Sequence, residues 1–356
     1  MNDAILRRIR PEQFREVILL VVTVGLILFF ASQIPNYFDP RSVNRLTTGL
    51  AITLVVAVGQ VLVVLTRNID LSVSSMVGLT AYVVGTLLTR YQDMPPLVAV
   101  ALAMAMGLVL GSINGLIVAY GGVPAIITTL GTLALYRVVL VEFSGARTVT
   151  TADLPDWLND VPSANVLSAG GYDLRLMVAT ALLVALLGQL TLGYLPFGRR
   201  LYAIGSNPEA ARTAGLPVQR TVFTAFAICG ALSGLAGFMF LARFGNITVT
   251  AAQGLELQVV AAVVVGGVNI FGGSGSMVGA LLGVLLIETL QQSLLRWAGL
   301  SEFVKDAILG LLILVAVTAD TIILGRLREM WVRVRRRDQA RAQTTLTEDT
   351  AAVHGA

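Results

Sequence analysis

Long apolar runs separated by short polar breaks dominate the chain, at roughly 16–34, 46–66, 71–89, 96–118, 123–141, 174–195, 219–241, 257–268, 276–295 and 303–325. Most approach the ~20 residues a helix needs to cross a ~30 Å hydrocarbon core. The pattern predicts an all-α polytopic membrane protein with about ten transmembrane helices. The eighth run is the shortest, because Gly266-Gly267 closes it. The first run follows Arg7, Arg8, Arg10 and Arg15, and no small-residue cleavage site follows its apolar stretch at 17–31. That predicts a retained first helix rather than a signal peptide.

Composition settles the class. The 356 residues are 56% hydrophobic and only 13% charged, where a soluble protein carries about 25% charged residues. Lys and Arg gather in short loops on one side, and that bias sets orientation. It predicts cytoplasmic N- and C-termini and a cytoplasmic loop at 196–220. The membrane domain then spans 1–325, with an extracytoplasmic segment at 142–173 that serves either as a connector or as part of a docking surface or outer cover. A basic tail at 326–356, rich in Thr and Ala, is expected to be disordered. The net charge of +4 fits contact with anionic lipid of the bilayer better than nucleic acid. Cys229 is the only cysteine and His354 the only histidine, so no histidine-based metal site or catalytic triad is expected. The one lysine, Lys305, has no glycine frame, and Gly272-Gly273-Ser274-Gly275-Ser276 has no lysine. A phosphate-cradling loop needs both, so this chain is not expected to hydrolyse ATP by itself.

Polar residues inside the apolar pattern are the candidates for chemistry. Within 196–220, Asn207 can cap a helix whose first position is Pro208, and Glu209 in its first turn suits the macrodipole. Asp70 stands at a span boundary, where an acid caps the next helix, pairs with a cation such as Arg67, or touches substrate. Arg137 falls inside the fifth run. A charge there costs about 2.5–3.5 kcal/mol on insertion scales, so it faces protein or water, or snorkels to the outer interface. Glu288, Gln291, Gln292 and Arg296 fall at i, i+3, i+4 and i+8 on one face of the ninth run. Lipid would penalise that stripe, so it faces the interior or another subunit. Gly107, Gly111 and Gly115, Gly230 and Gly234, and Gly279 and Gly283 form small-residue ridges for helix packing. Asn68-Ile69 and Ser75-Met76-Val77-Gly78 recur at the same spacing as Asn269-Ile270 and Ser276-Met277-Val278-Gly279, a faint internal repeat of the kind transporters carry.

Several blocks resemble one family. Thr66-Arg67-Asn68-Ile69-Asp70-Leu71-Ser72-Val73, Asn114-Gly115, the run from Val123-Pro124-Ala125 through Thr128-Thr129-Leu130-Gly131-Thr132, Phe197-Gly198-Arg199, and Phe271-Gly272-Gly273-Ser274-Gly275 look like the permease subunits of ribose-type ATP-binding-cassette sugar importers. The resemblance covers roughly 45–320 and is closest to the autoinducer-2 and rhamnose branch. Ser74-Ser75 and Gln291-Gln292 depart from the family pattern. Glu209-Ala210-Ala211 followed by Gly215 resembles the loop that docks into the ATPase subunit. The resemblance implies two ATPase subunits that use ATP, a second permease copy or paralogue, and a periplasmic sugar-binding protein, in a bacterial inner membrane. It implies coupling through Asn207, Glu209, Ala210, Ala211, Gly215 and Arg199. The polar positions assigned to a substrate pathway are Asp70, Asn114, Thr128, Thr129, Thr132, Arg137, Glu288, Gln291 and Gln292. The rival reading is an ion-coupled secondary transporter, which normally shows buried acids in mid-span. Glu288 is the one strong candidate for that, and the docking-type loop would be left unexplained.

Overall fold

The computed structural model describes residues 11–298, together with Val304, Ala307, Ile308, Gly310, Leu311 and Leu314. The chain divides into two units, Met1–Leu309 and Gly310–Ala356. In chain order the first unit consists of α1 (Pro11–Gln33), α2 (Pro40–Leu65), α3 (Val73–Arg90), α4 (Pro96–Ala119), α5 (Ala125–Ser144), the short α6 (Asp156–Asp160), β1 (Asn165–Ala169), β2 (Tyr172–Arg175), α7 (Leu176–Tyr194), α8 (Pro196–Ser206), α9 (Pro208–Thr213), α10 (Val218–Phe244), α11 (Leu255–Val265) and α12 (Met277–Ala298). Among the described residues eight helices are long and apolar enough to cross a membrane: α1 to α5, α7, α10 and α12. The tenth expected run and the basic tail lie outside the described residues, save for the isolated helical positions between 304 and 314.

Proline opens α2, α4, α8 and α9. Its missing N–H has no intrahelical partner to lose there, and its fixed φ suits a first turn. The apolar pattern then decides which helix lies where. Every residue of α2 from 48 to 65 is buried, as an all-round apolar helix requires. By contrast, α5 and α7 turn Ile127, Leu135, Leu183, Leu186 and Leu187 outward, where hydrocarbon receives them.

The glycine ridges do what their spacing suggests. Helix α4 lies against α10 so closely that a Cβ on Gly111 would come within 2.7 Å of the Gly230 Cα, and one on Gly107 within 2.6 Å of the Gly234 amide. Gly283 of α12 approaches Gly266 beyond α11 in the same way, at 2.8 Å from its amide. Without a hydrophobic driving force between helices in lipid, such contact is a main source of cohesion.

The segment 142–173 is folded and packs on the helices. Leu158 is fully buried, Trp157 stacks on Phe238 at 6.4 Å, and Val149 pairs with Ile247 in an isolated antiparallel bridge. The antiparallel hairpin β1–β2, with a register shift between Asn165 and Leu167, is an exception to the all-α pattern. Asn44 of α2 ties it down by donating to the Asp173 carboxylate at 3.0 Å.

The eighth run is not a full span. Helix α11 has 11 residues, about 16 Å at 1.5 Å per residue, and an irregular stretch, 245–254, leads into it. The internal repeat holds only in part. At the exits of α2 and α11 the bonding is alike but one position out of register with the repeat: Arg67 N–H and Asn68 N–H donate to Val64 and Val63 carbonyls, as Gly267 and Val268, not Val268 and Asn269, donate to Val264 and Val263. The serines of the repeat differ. Ser75 lies inside α3 and donates to the Leu133 carbonyl, whereas Ser276 precedes α12 and accepts from Gly279 N–H.

Candidate functional site

The polar loop between α7 and α10 folds into two short helices. Helix α8 buries Gly198, Leu201, Ile204 and Gly205 and leaves Arg199 and Arg200 exposed. Asn207 ends it in an extended conformation, φ −156° and ψ 102°. Its Oδ1 accepts from the amides of Glu209 at 3.1 Å and Ala210 at 3.0 Å, the capping role its sequence context predicts. Behind α9, Gly215 takes φ +75°, and Leu216 N–H reaches back to the Ala211 carbonyl at 3.0 Å. This glycine-terminated turn satisfies the last carbonyls. With both ends fixed, α9 buries Ala211 and presents Glu209, Ala210 and Arg212 to solvent. A small, flat, capped knob is the result.

The knob is fastened to the bundle at one point. Arg67, itself at φ +67°, donates through Nε to the Gly205 carbonyl at 2.6 Å and through Nη2 to the Ser206 carbonyl at 2.7 Å. It thereby occupies the orphan carbonyls at the end of α8. Gly205 touches the Leu65 carbonyl and Gly273 so closely that no Cβ would fit. Gly273 N–H donates to Leu65 O at 3.1 Å, and the Tyr202 hydroxyl to Gly275 O at 2.8 Å. Three connections, α2–α3, α8–α9 and α11–α12, meet at this junction. The Arg67–Asp70 pairing considered from sequence does not form.

Asp70 closes a tight turn just ahead of α3, whose own N-cap, Ser72, has no side-chain cap bond, so the capping expected from sequence is not formed. Its Oδ1 accepts from Ser72 N–H at 2.9 Å and Ser72 Oγ–H at 2.7 Å, at the start of α3. Asn114 donates to both carboxylate oxygens at 3.4 Å and to Ser72 Oγ at 2.8 Å. The Tyr136 hydroxyl donates to Leu110 O at 2.9 Å and lies 3.4 Å from Asn114 Oδ1. Thr129 donates to Ile69 O at 3.2 Å, and Thr132 to Thr129 O at 3.4 Å. Thr128 Oγ is buried without a partner among the described residues. These residues knit α4 and α5 to the α2–α3 connection.

Arg137 turns its guanidinium to backbone. Its Nη1 donates to the carbonyls of Val249 at 3.0 Å and Ala251 at 2.8 Å. Gly78 of α3 makes room, since a Cβ there would lie 2.7 Å from Ala251 O. Non-helical backbone at membrane depth is tolerated only when protein satisfies it, and Arg137 does so for 245–254.

A cavity of about 410 Å³ opens at the end of the bundle away from the knob, among α2, α10, α11 and α12. That volume lies in the range of small-molecule sites. Its floor is Glu288, only 6% exposed, whose Oε2 accepts from Gln258 at 3.0 Å and Oε1 from Gln292 at 2.8 Å. Gln258 also lies 3.3 Å from Thr53 Oγ. Gly49 supplies the space: a Cβ there would collide with Glu288 Oε1 and lie 2.8 Å from both Arg243 Nη1 and Gln292 Nε2. Of the expected pathway residues, Glu288, Gln291 and Gln292 share this cavity, and Asp70, Asn114, Thr128, Thr129, Thr132 and Arg137 lie elsewhere. Sequence reasoning missed Arg45, Thr53, Arg243 and Gln258. A signal for part of this existed, because Arg45, Gly49 and Thr53 fall at i, i+4 and i+8, the spacing of Glu288, Gln292 and Arg296.

Residues 42–317 match the family described as branched-chain amino acid transport system / permease component. Among curated proteins the chain is 34% identical over 327 residues to the autoinducer 2 import system permease protein LsrC of Enterobacter sp. (strain 638), covering 90% of each chain. It is 33% identical over 314 residues to the protein of that name from Salmonella typhi, covering 88% of this chain and 86% of the relative. No solved structure matches.

Proposed function

Since the chain belongs to the family of branched-chain amino acid transport system permease components, we propose that it carries a monosaccharide or related polyol across the membrane by alternating access, driven by ATPase subunits that bind at α9. It is the permease subunit of an ATP-binding-cassette sugar importer. The names of its relatives favour an autoinducer-2-type solute over rhamnose or ribose.

The observation that carries the coupling assignment is the exposed, doubly capped knob of Glu209 and Ala210, bolted through Arg67 to the connections that lead into α3 and α12. Alanines give a groove on the ATPase a close seat, and Glu209 supplies a charge for orientation. Movement of the knob would pass through the Gly205 carbonyl and its neighbours to the spans around the cavity. Asn207, Ala211, Gly215 and Arg199 hold or flank this surface. Glu288, Gln291 and Gln292 line the solute path, whose hydroxyl-matching groups are few, as passage requires weak binding. Two ATPases, a second permease copy or paralogue and a periplasmic binding protein complete the assembly in the inner membrane. ATP is bound and used by the partner subunits alone.

Co-purification in mild detergent tests this. An ATPase subunit is expected with the unchanged protein and not with Glu209→Arg. If no ATPase accompanies the unchanged protein in several detergents, the coupling role of α9 is wrong.

A further inference from the structure

Helix α9 offers little surface for a partner to rest on. Its six residues span about 9 Å at 1.5 Å per residue, and Ala211 is buried. Around Glu209 and Arg212 the exposed positions are small: Ala210, Thr213, Ala214 and Gly215. A stable interface takes about 800 Å² from each partner. Under two turns of mostly short side chains fall well short of that, so a subunit seated on α9 also covers what adjoins it.

The neighbour is the connection between α11 and α12. Asn269 N–H donates to Ser274 O at 2.9 Å and Gly272 N–H to Asn269 O at 2.8 Å. Asn269 Oδ1 accepts from Phe271 N–H at 2.9 Å. The loop closed in this way is wedged into the junction. Gly272 and Gly273 stand at φ +77° and +75°, and a Cβ would lie 2.6 Å from Arg67 Cγ on the first and 2.6 Å from Ser206 N on the second. At the tip, Phe271 is 74% exposed, the most exposed phenylalanine among the described residues. Ser206 directly precedes the Asn207 cap, so steps of 3.8 Å per residue put Phe271 within about 25 Å of Glu209. Hydrocarbon does not cover this tip, because irregular backbone is not tolerated against lipid tails.

We propose that Phe271 is a second anchor for the ATPase subunit, whose footprint runs from α9 across the junction to the α11–α12 connection. The proposal rests on the docking role of α9 and extends it. A few buried aromatic anchors ringed by polar contacts carry most of an interface's binding energy. Here Glu209 fixes orientation and Phe271 supplies the apolar anchor that α9 lacks. One ATPase surface then grips two connections at once. The second leads straight into α12, the helix that carries Glu288, Gln291 and Gln292, so motion reaches the cavity without first crossing α8.

Photo-crosslinking in membranes that hold the whole importer tests this. A benzoylphenylalanine is placed at position 271, and separately at position 210, of the full chain. Irradiation is expected to join the chain to the ATPase subunit, identified by its peptide masses, from both positions. An ATPase product from 210 but none from 271 would overturn the second anchor and leave the docking role of α9 standing. So would a product from 271 with lipid or with a second permease copy alone. No ATPase product from either position would overturn both. Binding of the purified ATPase to the chain in lipid nanodiscs gives a second measurement. Phe271→Ala is expected to raise Kd about tenfold, and Phe271→Trp to restore it. An unchanged Kd for Phe271→Ala would remove the anchor.

Discussion

At the residue scale, the polar side chains buried in this protein mostly serve backbone. Asp70 offers an acceptor to Ser72 N–H, Ser72 Oγ–H and the Asn114 amide, so its removal strands several buried donors at once. Asp70→Ala is expected to lower stability by about 2–4 kcal/mol, because an unmet buried donor costs about 1–3 kcal/mol. Asp70→Asn keeps one acceptor oxygen and is expected to lose less than half of that. Thermal unfolding of the purified protein in detergent measures both, and equal losses for the two variants would show that the carboxylate is not the shared acceptor described. The capping role of Asn207 was readable from sequence, because a cap is a local relation between a side chain and amides two or three positions on, whereas Asp70 sits two residues before the N-cap Ser72 and closes a turn instead. The partners of Arg67 were not readable. They lie on Gly205 and Ser206, more than a hundred positions away, and no local spacing encodes that meeting.

At the scale of elements, the short helix α11 and the irregular 245–254 before it replace the expected eighth span. Arg137 reaches across from α5 to hold that stretch. Arg137→Met is expected to cost about 2–3 kcal/mol, as hydrogen bonds to charged groups are worth about 1.5–3 kcal/mol. The loss should appear first as faster protease cleavage within 245–254, and unchanged cleavage would contradict the latch. The eight long helices were legible because apolar length alone announces them. The shortness was legible: Gly266-Gly267 marked the end of α11, and before it Gly245, Asn246, Gly254 and the β-branched Ile247-Thr248-Val249-Thr250 make 245–254 a poor helix. Glycine spacing likewise announced that α4 and α10 pack somewhere. It did not say that they pack on each other, which depends on which ridges share a register.

At the scale of the whole molecule, the α9 knob and the cavity stand at opposite ends of the same helices. In the function proposed above, their separation makes the three-way junction at Gly205 the decisive link. Gly205→Val is expected to unseat α8 from Leu65 and Gly273 while leaving Glu209 and Ala210 exposed, so the ATPase should still co-purify and solute uptake should fail. Uptake at the unchanged rate would remove the junction from the transmission path. The family was legible from motifs, whereas the cavity was only half legible. The stripe on α12 was visible as a periodicity, but its partners on α2, α10 and α11 become neighbours only through tertiary packing. The Arg137 latch has a consequence for the way the chain is made. The fifth helix is synthesised more than a hundred residues before the segment it stabilises, and bare carbonyls at 245–254 have no acceptable place in lipid. A charged side chain and the carbonyls that need it are thus made far apart in time, and the fifth helix reaches its final setting only once the segment after the seventh has been made.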